Sequence, residues 1–276
     1  MDPDDRPRAR PATPQDYPHF VRFFQELATD DPVPIPERYE QQIMPCALFL
    51  ERGGKLAAYG YIRVMGDIGH VGHVVVDPDC RGERVGRALM AAIAARLRDA
   101  GCSRWCLNVK VGNVPALRLY ERFGLAPVFA ATALRFPWSA LAALERDPAR
   151  VVARSLEPAH EAELEAAFHL HPGQLAESRK RPGRVLFQAT DAATERERLG
   201  IASFDPAFPG AYPFRAAEPH AAAALLDAVR PHALPEHDFV FVTIDEDADL
   251  TRHLVEAGAA VRFEMLHLRG TIPPPP

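Results

Sequence analysis

The chain has 276 residues, 47% of them hydrophobic and 25% charged, with a formal net charge of −5 at pH 7. That length holds one large or two modest domains with a substantial core, and the acidic balance excludes a surface built for nucleic acid. No apolar window approaches the roughly 18 residues of a membrane span, so no membrane partner is expected.

The charged start MDPDDRPRARP reads as a frayed tail and not a secretory signal. Arg8–Ala12 is expected as a short strand. Pro14–Asp16 then opens a helix over Tyr17–Leu27, with Phe20, Phe23, Phe24 and Leu27 at helical spacing. The proline-rich TDDPVPIP (29–36) breaks it before a short helix over Glu37–Ile43. Cys46–Glu51 and Leu56–Val64 read as a hairpin joined through Arg52-Gly53-Gly54-Lys55. After Gly66–Gly69 a strand covers His70–Val76. A helix over Val85–Ala100 follows, with Val85, Leu89, Ile93 and Leu97 on one stripe and a stop at Gly101. Trp105, Leu107 and Val109 alternate as a strand, Asn113 caps a helix that ends before Gly124, and Val128–Phe136 is a further strand. The order β α α β β β α β α β predicts a mixed α/β layer fold.

The most informative run is VVVDPDCRGERVGRA (74–88). A strand feeding a tight turn onto a helix N-terminus aims unpaired backbone N–H groups at one point, where the helix dipole favours an anion. That is a place for a phosphate. The arginines add little to this reading by themselves, since lysine stands only at 55, 110 and 180 among the 32 basic residues. Arg81, Arg84 and Arg87 therefore read equally well as phosphate contacts or as solvated side chains. Cys46, Cys80, Cys102 and Cys106 are too scattered for a disulfide framework or a zinc site, so the expectation is a reducing cytoplasm and no metal.

The element order, the run V-x-V-x-P-x-x-R-G-x-x-x-G (74–86) and the later NVPALRLYERFGL (113–125) together resemble the GNAT superfamily of acyl-CoA-dependent N-acetyltransferases over roughly residues 8–136. The match departs from the family's Arg/Gln-x-x-Gly-x-Gly/Ala at one position, where Arg84 replaces a glycine. The resemblance implies the GNAT fold, acetyl-CoA as co-substrate, and transfer to a primary amine of a small molecule or peptide. It implies a pyrophosphate cradle over Arg81, Gly82, Glu83, Arg84, Val85, Gly86, Arg87 and Ala88, with Val74, Val75 and Val76 lying along the pantetheine arm and Asn113 touching it. It also implies Tyr120 as general acid to the departing thiolate and an oxyanion-binding N–H near Val75. Asn113 reads on its own as a helix N-cap, and Tyr120 as a residue packed on the sheet.

Many relatives use a strand glutamate as base, but no glutamate lies between Lys55 and Glu83. His70 and His73 are the titratable groups beside the cleft strand. His73 is the candidate base if its pKa stays near the ordinary histidine value, and the alternatives are a hydrogen bond within the sheet or proton loss to bulk water. The resemblance implies an acceptor site lined by the loop between the first two helices, here Ala28–Pro36, and by the final strands; Asp30 and Asp31 read either as acids that attract an ammonium group or as ordinary turn residues.

The second half reads as a degenerate repeat. Residues 137–150 form a connector, and VVARSLEP (151–158) starts a new strand–helix entry. Helical patterns cover Ala159–Phe168 and the stretch after Pro172, strands cover Val185–Thr190, Leu199–Phe204 and Phe239–Ile244, and Ala221–Val229 is a helix. DADLTRHLVEAGA (247–259) lies opposite 113–125 without gaps, with Gly258 opposite Gly124, Leu254 in place of Tyr120 and Asp247 in place of Asn113. The corresponding turn, FPGAYPFRAAEPH (208–220), lacks the cradle pattern. His169 and His171 read as a surface loop.

The expected organisation is a catalytic domain over 1–136, a degenerate GNAT-like domain over 151–270 and a disordered tail over 271–276, in an arrangement resembling mycothiol-type acetyltransferases. A homodimer is left open. The alternative function is a non-catalytic acetyl-CoA sensor or scaffold.

Overall fold

A computed structural model describes residues 7–29, 31–194 and 198–275. The expected frayed start and Asp30 lie outside them, the start except for its last residues. The chain forms two compact units, Met1–Val128 with His267–Pro276, and Phe129–Leu266.

In chain order the first unit comprises β1 (Arg8–Pro11), α1 (Tyr17–Gln25), the single turn α2 (Pro36–Arg38), β2 (Ala47–Arg52), β3 (Lys55–Met65), β4 (Ile68–Val76), α3 (Val85–Asp99), β5 (Arg104–Lys110), α4 (Val114–Glu121) and the start of β6 (Ala126–Pro137). The second contains β7 (Val151–Ser155), α5 (Glu161–Ala167), α6 (Gln174–Arg179), β8 (Val185–Asp191), β9 (Arg198–Asp205), β10 (Gly210–Ala216), α7 (Pro219–Val229), β11 (Phe239–Asp245), α8 (Ala248–Glu256) and most of β12 (Ala260–Thr271). Strand order is β1-β2-β3-β4-β5 with the end of β12 beside β5 in the first unit, and β6-β11-β10-β9-β8-β7 in the second.

In the first unit the two faces of the sheet are told apart by what meets them. On one face α1 buries Phe20, Phe23 and Phe24 with Tyr39, Phe49, Tyr59 and Val75. On the other lies α3, whose expected stripe Val85, Leu89, Ile93 and Leu97 is fully buried. Glycines on the strands let α3 approach closely: a Cβ on Gly69 would stand 2.4 Å from Leu97 Cδ1, and one on Gly60 3.0 Å from Ile93 Cδ1. Burying such a stripe contributes about 1.5–3 kcal/mol per large apolar side chain. The β2–β3 hairpin turns through Gly53 and Gly54, both at positive φ, the backbone that a tight two-residue turn demands.

The compact units draw their boundaries after Val128 and after Leu266. The strand expected to finish the first domain is β6, and its residues Ala131–Pro137 pair antiparallel with β11. The chain's last strand takes the vacant place beside β5. The segment 137–150, expected as a connector, supplies Trp138 and Leu144 to the second core. The segment 271–276, expected as a disordered tail, is tied down through Pro273. Ile272 is buried and its N–H donates to the Ser103 carbonyl at 3.0 Å, while Arg98 Nη1 donates to the Pro273 carbonyl at 2.6 Å.

Candidate active site

The two strands at the centre of the first unit separate where a ligand would enter. β4 and β5 are parallel and paired from Ile68↔Arg104 to Val71↔Leu107, and the register stops there. Beyond it, Val74, Val75 and Val76 keep their antiparallel partners Gly60, Tyr59 and Ala58 on β3. Their other edge faces the gap that opens towards Asn108–Lys110. The register between β3 and β4 slips between Tyr61 and Ile62, which leaves Gly72 as an extra residue, a β-bulge at the point of divergence. A Cβ on Gly72 would lie 2.7 Å from Tyr61 Cδ1.

The loop between β4 and α3 is anchored at its base by Asp77. Its N–H donates to the Ala57 carbonyl at 2.9 Å, and its carboxylate accepts from the Asp79 N–H at 3.0 Å and pairs with Arg22 of α1. Burial pushes the Asp77 carboxyl up, but the Arg22 guanidinium and the Asp79 amide outweigh it and hold the pKa below the ordinary value. Gly82 follows at φ +83° and Arg84 at φ +64°, both left-handed. Arg84 is the N-cap of α3, and the first helical hydrogen bond is Ala88 N–H to Arg84 O at 3.1 Å. The N–H groups of Val85, Gly86 and Arg87 thus have no acceptor within the helix. Space is open beside Gly82, where a Cβ would meet nothing within 4 Å. These features fit a pyrophosphate, whose oxygens would take the free amides.

The charged side chains of the loop behave differently from one another. Arg81 donates to Glu26 at 2.8 Å and to the Val76 carbonyl at 3.3 Å, and Glu83 pairs with Arg52. Arg84 and Arg87 are exposed and have no carboxylate partner among the described residues. Gly86 is the contact point of three elements, since a Cβ there would lie 3.2 Å from Leu119 Cδ2 on α4 and 3.5 Å from Val76 Cγ2 on β4.

Asn113 is the helix cap that its spacing suggests, its Oδ1 accepting from the Ala116 N–H at 3.2 Å. Tyr120, one residue beyond Leu119, is buried, and its hydroxyl makes no hydrogen bond among the described residues. Burial raises its pKa to about 12, so the phenol stays protonated at neutral pH. α4 lies on the α3 face, as the contact of Phe123 with Trp105 of β5 records, with ring centroids 6.1 Å apart.

His73 is on the other face. It is half-buried among the rings of Phe24 (5.7 Å), Tyr59 (5.8 Å) and Tyr61 (5.2 Å), and its Nδ1 is 3.3 Å from the Tyr59 hydroxyl. Desolvation, and secondarily the charge of Arg63, lower its pKa to about 4. The expectation of a histidine near its ordinary pKa is corrected: the ring is neutral at pH 7 and a weak base. On the same face Lys110 Nζ donates to the Leu27 and Ala28 carbonyls at 3.3 and 2.5 Å, fastening the start of the 28–36 loop.

Sequence reasoning passed over Asp77, Arg22 and Glu26. Asp77-Pro78 directly after a strand is the one signal that pointed to them, because an Asp before a turn caps its own backbone.

The second unit differs at each of these places. The segment 208–220, expected as the turn matching the cradle, is mostly strand β10, and only Ala217–Glu218 connect it to α7. β10 and β11 pair only at Gly210↔Phe241 and Ala211↔Val242. Beyond that, Arg215 of β10 forms an ion pair with Asp245 of β11, their side chains 16% and 6% exposed. At the N-cap of α7 stands Glu218, whose carboxylate pairs with Arg150 at 2.7 Å. Asp247 caps α8 as Asn113 caps α4, its Oδ1 accepting from the Leu250 N–H at 2.8 Å.

Residues 15–125 match the family described as Acetyltransferase (GNAT) family. The chain is 31% identical over 80 residues to a putative [ribosomal protein bS18]-alanine N-acetyltransferase of Bacillus subtilis, covering 29% of this chain and 53% of that protein. It is 44% identical over 82 residues to a mycothiol acetyltransferase of Thermomonospora curvata, covering 29% of this chain and 28% of that one. The chain thus spans about half the length of the first of these relatives and less than a third of the second. A solved tandem GNAT protein from the clavulanic acid biosynthesis pathway shares the fold with a TM-score of 0.60 at 17% identity, over 98% of this chain and 99% of that one. Residues 15–125 thus match the GNAT acetyltransferase family, and the chain as a whole shares its fold with solved GNAT proteins.

Proposed function

We propose that the chain is an acetyl-CoA-dependent N-acetyltransferase with one active site, in the first unit, acting on a primary amine. The divergence of β4 from β5 after Val71↔Leu107, with Tyr120 and His73 on opposite faces of the sheet, is the observation that carries this reading. Bound acetyl-CoA would supply an activated acyl carbon and a thiolate leaving group. The free amides of Val85, Gly86 and Arg87 hold its pyrophosphate, with Gly82 giving the room and Arg84 and Arg87 adding charge. The edge of Val74–Val76 that faces away from β3 takes the pantetheine arm, Asn113 contacts it, and a β4 amide near Val75 binds the carbonyl oxygen.

The chain's residues then divide the proton traffic between the two faces. Tyr120, protonated and without another hydrogen bond among the described residues, gives its proton to sulfur as the C–S bond breaks and the N–C bond forms. The amine loses its proton on the α1 face. His73, neutral above about pH 4, orients that amine through Nε2 and passes its proton to solvent. Glu218 and the Arg215–Asp245 pair stand in the second unit where a phosphate and an acyl arm would go, so that unit holds no second acyl site.

The test is thiol release from acetyl-CoA across a panel of primary amines, including an N-terminal alanine peptide and amino sugars, with the product identified by mass. Acetylated amine appearing with stoichiometric thiol is the expected result. Tight acetyl-CoA binding with no transfer to any amine would instead make the chain a sensor or scaffold.

A further inference from the structure

The α1 face of the first unit carries a concentration of cationic and neutral donors without a matching acid. Arg63 of β3 stands opposite His70 of β4 in the register, with Arg63 Nη2 3.2 Å from His70 Nδ1. His70 is in turn in register with Cys106 of β5. Beside β5, His267 Nδ1 is 2.7 Å from Asn108 Oδ1, and Arg269 Nε donates to His267 Nε2 at 3.1 Å. A ring nitrogen that accepts from a guanidinium leaves the other nitrogen as the donor, so His267 is neutral and Asn108 presents its oxygen to it. The Asn108 amide NH2 is therefore turned away from His267.

Arg63 is the anomaly in this band. Its Nε is buried and has no hydrogen-bond acceptor, and no carboxylate among the described residues pairs with its guanidinium. Six acids of this unit are engaged with other arginines: Asp16 and Glu51 with Arg10, Asp77 with Arg22, Glu26 with Arg81, Glu83 with Arg52 and Asp67 with Arg104. A buried guanidinium N–H without an acceptor is costly unless a ligand completes it. The charge is felt locally, since Arg63 helps to lower the pKa of His73 and also acts on the Cys106 thiol. His73 shares this face: its partner Tyr61 is two residues from Arg63 on the same strand.

We infer that Arg63 is the anion contact of the acceptor site, and that the acceptor class is a primary amine carrying a carboxylate. This rests on the acetyltransferase reading above. The planar guanidinium fork matches a carboxylate, and a neutral His73 next to it leaves the amine end of such an acceptor unopposed by a second cation.

The experiment compares paired acceptors that differ only in this group: glycine with glycinamide, and longer ω-amino acids with their carboxamides. Transfer is followed by thiol release, and binding to the CoA-loaded protein by calorimetry, for the natural chain, Arg63→Gln and Arg63→Lys. The natural protein is expected to favour at least one carboxylate over its carboxamide by about 10- to 100-fold in kcat/KM or in affinity. Arg63→Gln should erase that preference without changing acetyl-CoA affinity, and Arg63→Lys should restore part of it, which also covers the case of a Gln variant that does not fold. Equal use of acid and amide, a preference for the amide, no binding of any carboxylate, or a preference untouched in Arg63→Gln would overturn the inference. Transfer without a carboxylate preference would remove this inference alone. Failure to bind acetyl-CoA would remove the acetyltransferase reading itself.

Discussion

Gly86 and Leu119 meet where the cradle helix crosses the helix of Tyr120, and a Cβ on Gly86 would stand 3.2 Å from Leu119 Cδ2. The spacing between the first amides of α3 and the Tyr120 phenol is therefore set by a residue with no side chain. Gly86→Ala is expected to be absorbed by a shift of a few tenths of an ångström. Gly86→Val overpacks the contact at a cost of about 1–3 kcal/mol. Its acetyl-CoA affinity should fall more than its melting temperature suggests, because the free amides move with α3. Calorimetric titration beside thermal unfolding checks this, and a Val variant binding acetyl-CoA like the natural chain would show that Gly86 does not set the cradle.

Arg84 holds a left-handed conformation, φ +64°, that costs a non-glycine residue roughly 1–2 kcal/mol. Glycine loses more chain entropy on folding, by about 0.5–1 kcal/mol. Arg84→Gly is thus expected to stabilise the protein by up to about 1.5 kcal/mol, and Arg84→Val to destabilise it. If Arg84 also contacts pyrophosphate, Arg84→Gly weakens acetyl-CoA binding even as it raises Tm. Denaturant unfolding and a binding titration on the same sample separate the two effects.

His73 has a folded-state pKa of about 4 against an ordinary value of 6.5. The unfolded chain binds the proton first, so stability is complete above about pH 6.5 and declines as pH falls from there towards 4. The shift corresponds to at most about 3 kcal/mol, less for a half-buried ring. His73→Phe should flatten this part of the stability–pH curve. The same shift predicts that the rate profile has no histidine inflection between pH 5.5 and 7.5 from this residue. Urea titrations at a series of pH values test the first claim, and an unchanged curve in His73→Phe would refute the burial of a neutral imidazole.

Much of this was legible in the sequence because the first unit's signals are local. The Val85–Leu97 stripe, the Gly53-Gly54 turn, the Asn113 cap and the glycine-bearing loop each depend on residues a few positions apart, and each stands in the structure as spacing predicts. The exchange of β6 and β12 was not legible, since strand partners far apart in sequence leave no periodic mark. β10 was missed because Pro213 and the aromatic run around it read as a turn, whereas the proline stands at the register shift between Ala211 and Phe214, where no ladder bond is lost. The pKa of His73 was out of reach for the same reason: Phe24, Tyr59, Tyr61 and Arg63 come from two other elements.

In the second unit the Arg215–Asp245 pair and Glu218 predict a binding stoichiometry of one acetyl-CoA per chain. Opening the pair with Asp245→Asn leaves Arg215 buried without its counter-charge and is expected to cost about 3–5 kcal/mol, without creating a second site. Titration calorimetry on the natural chain reads the stoichiometry directly, and two equivalents bound would contradict the assignment of a single site.

The central claim is that Tyr120 protonates the departing thiolate in a single acyl-transfer site of the first unit. The most direct measurement is the single-turnover rate of thiol release for Tyr120→Phe against the natural chain, at saturating acetyl-CoA and with an amine acceptor that the natural chain turns over. The account predicts a loss of about 10²- to 10⁴-fold in rate with acetyl-CoA affinity unchanged. A Tyr120→Phe variant that transfers at the natural rate would contradict it.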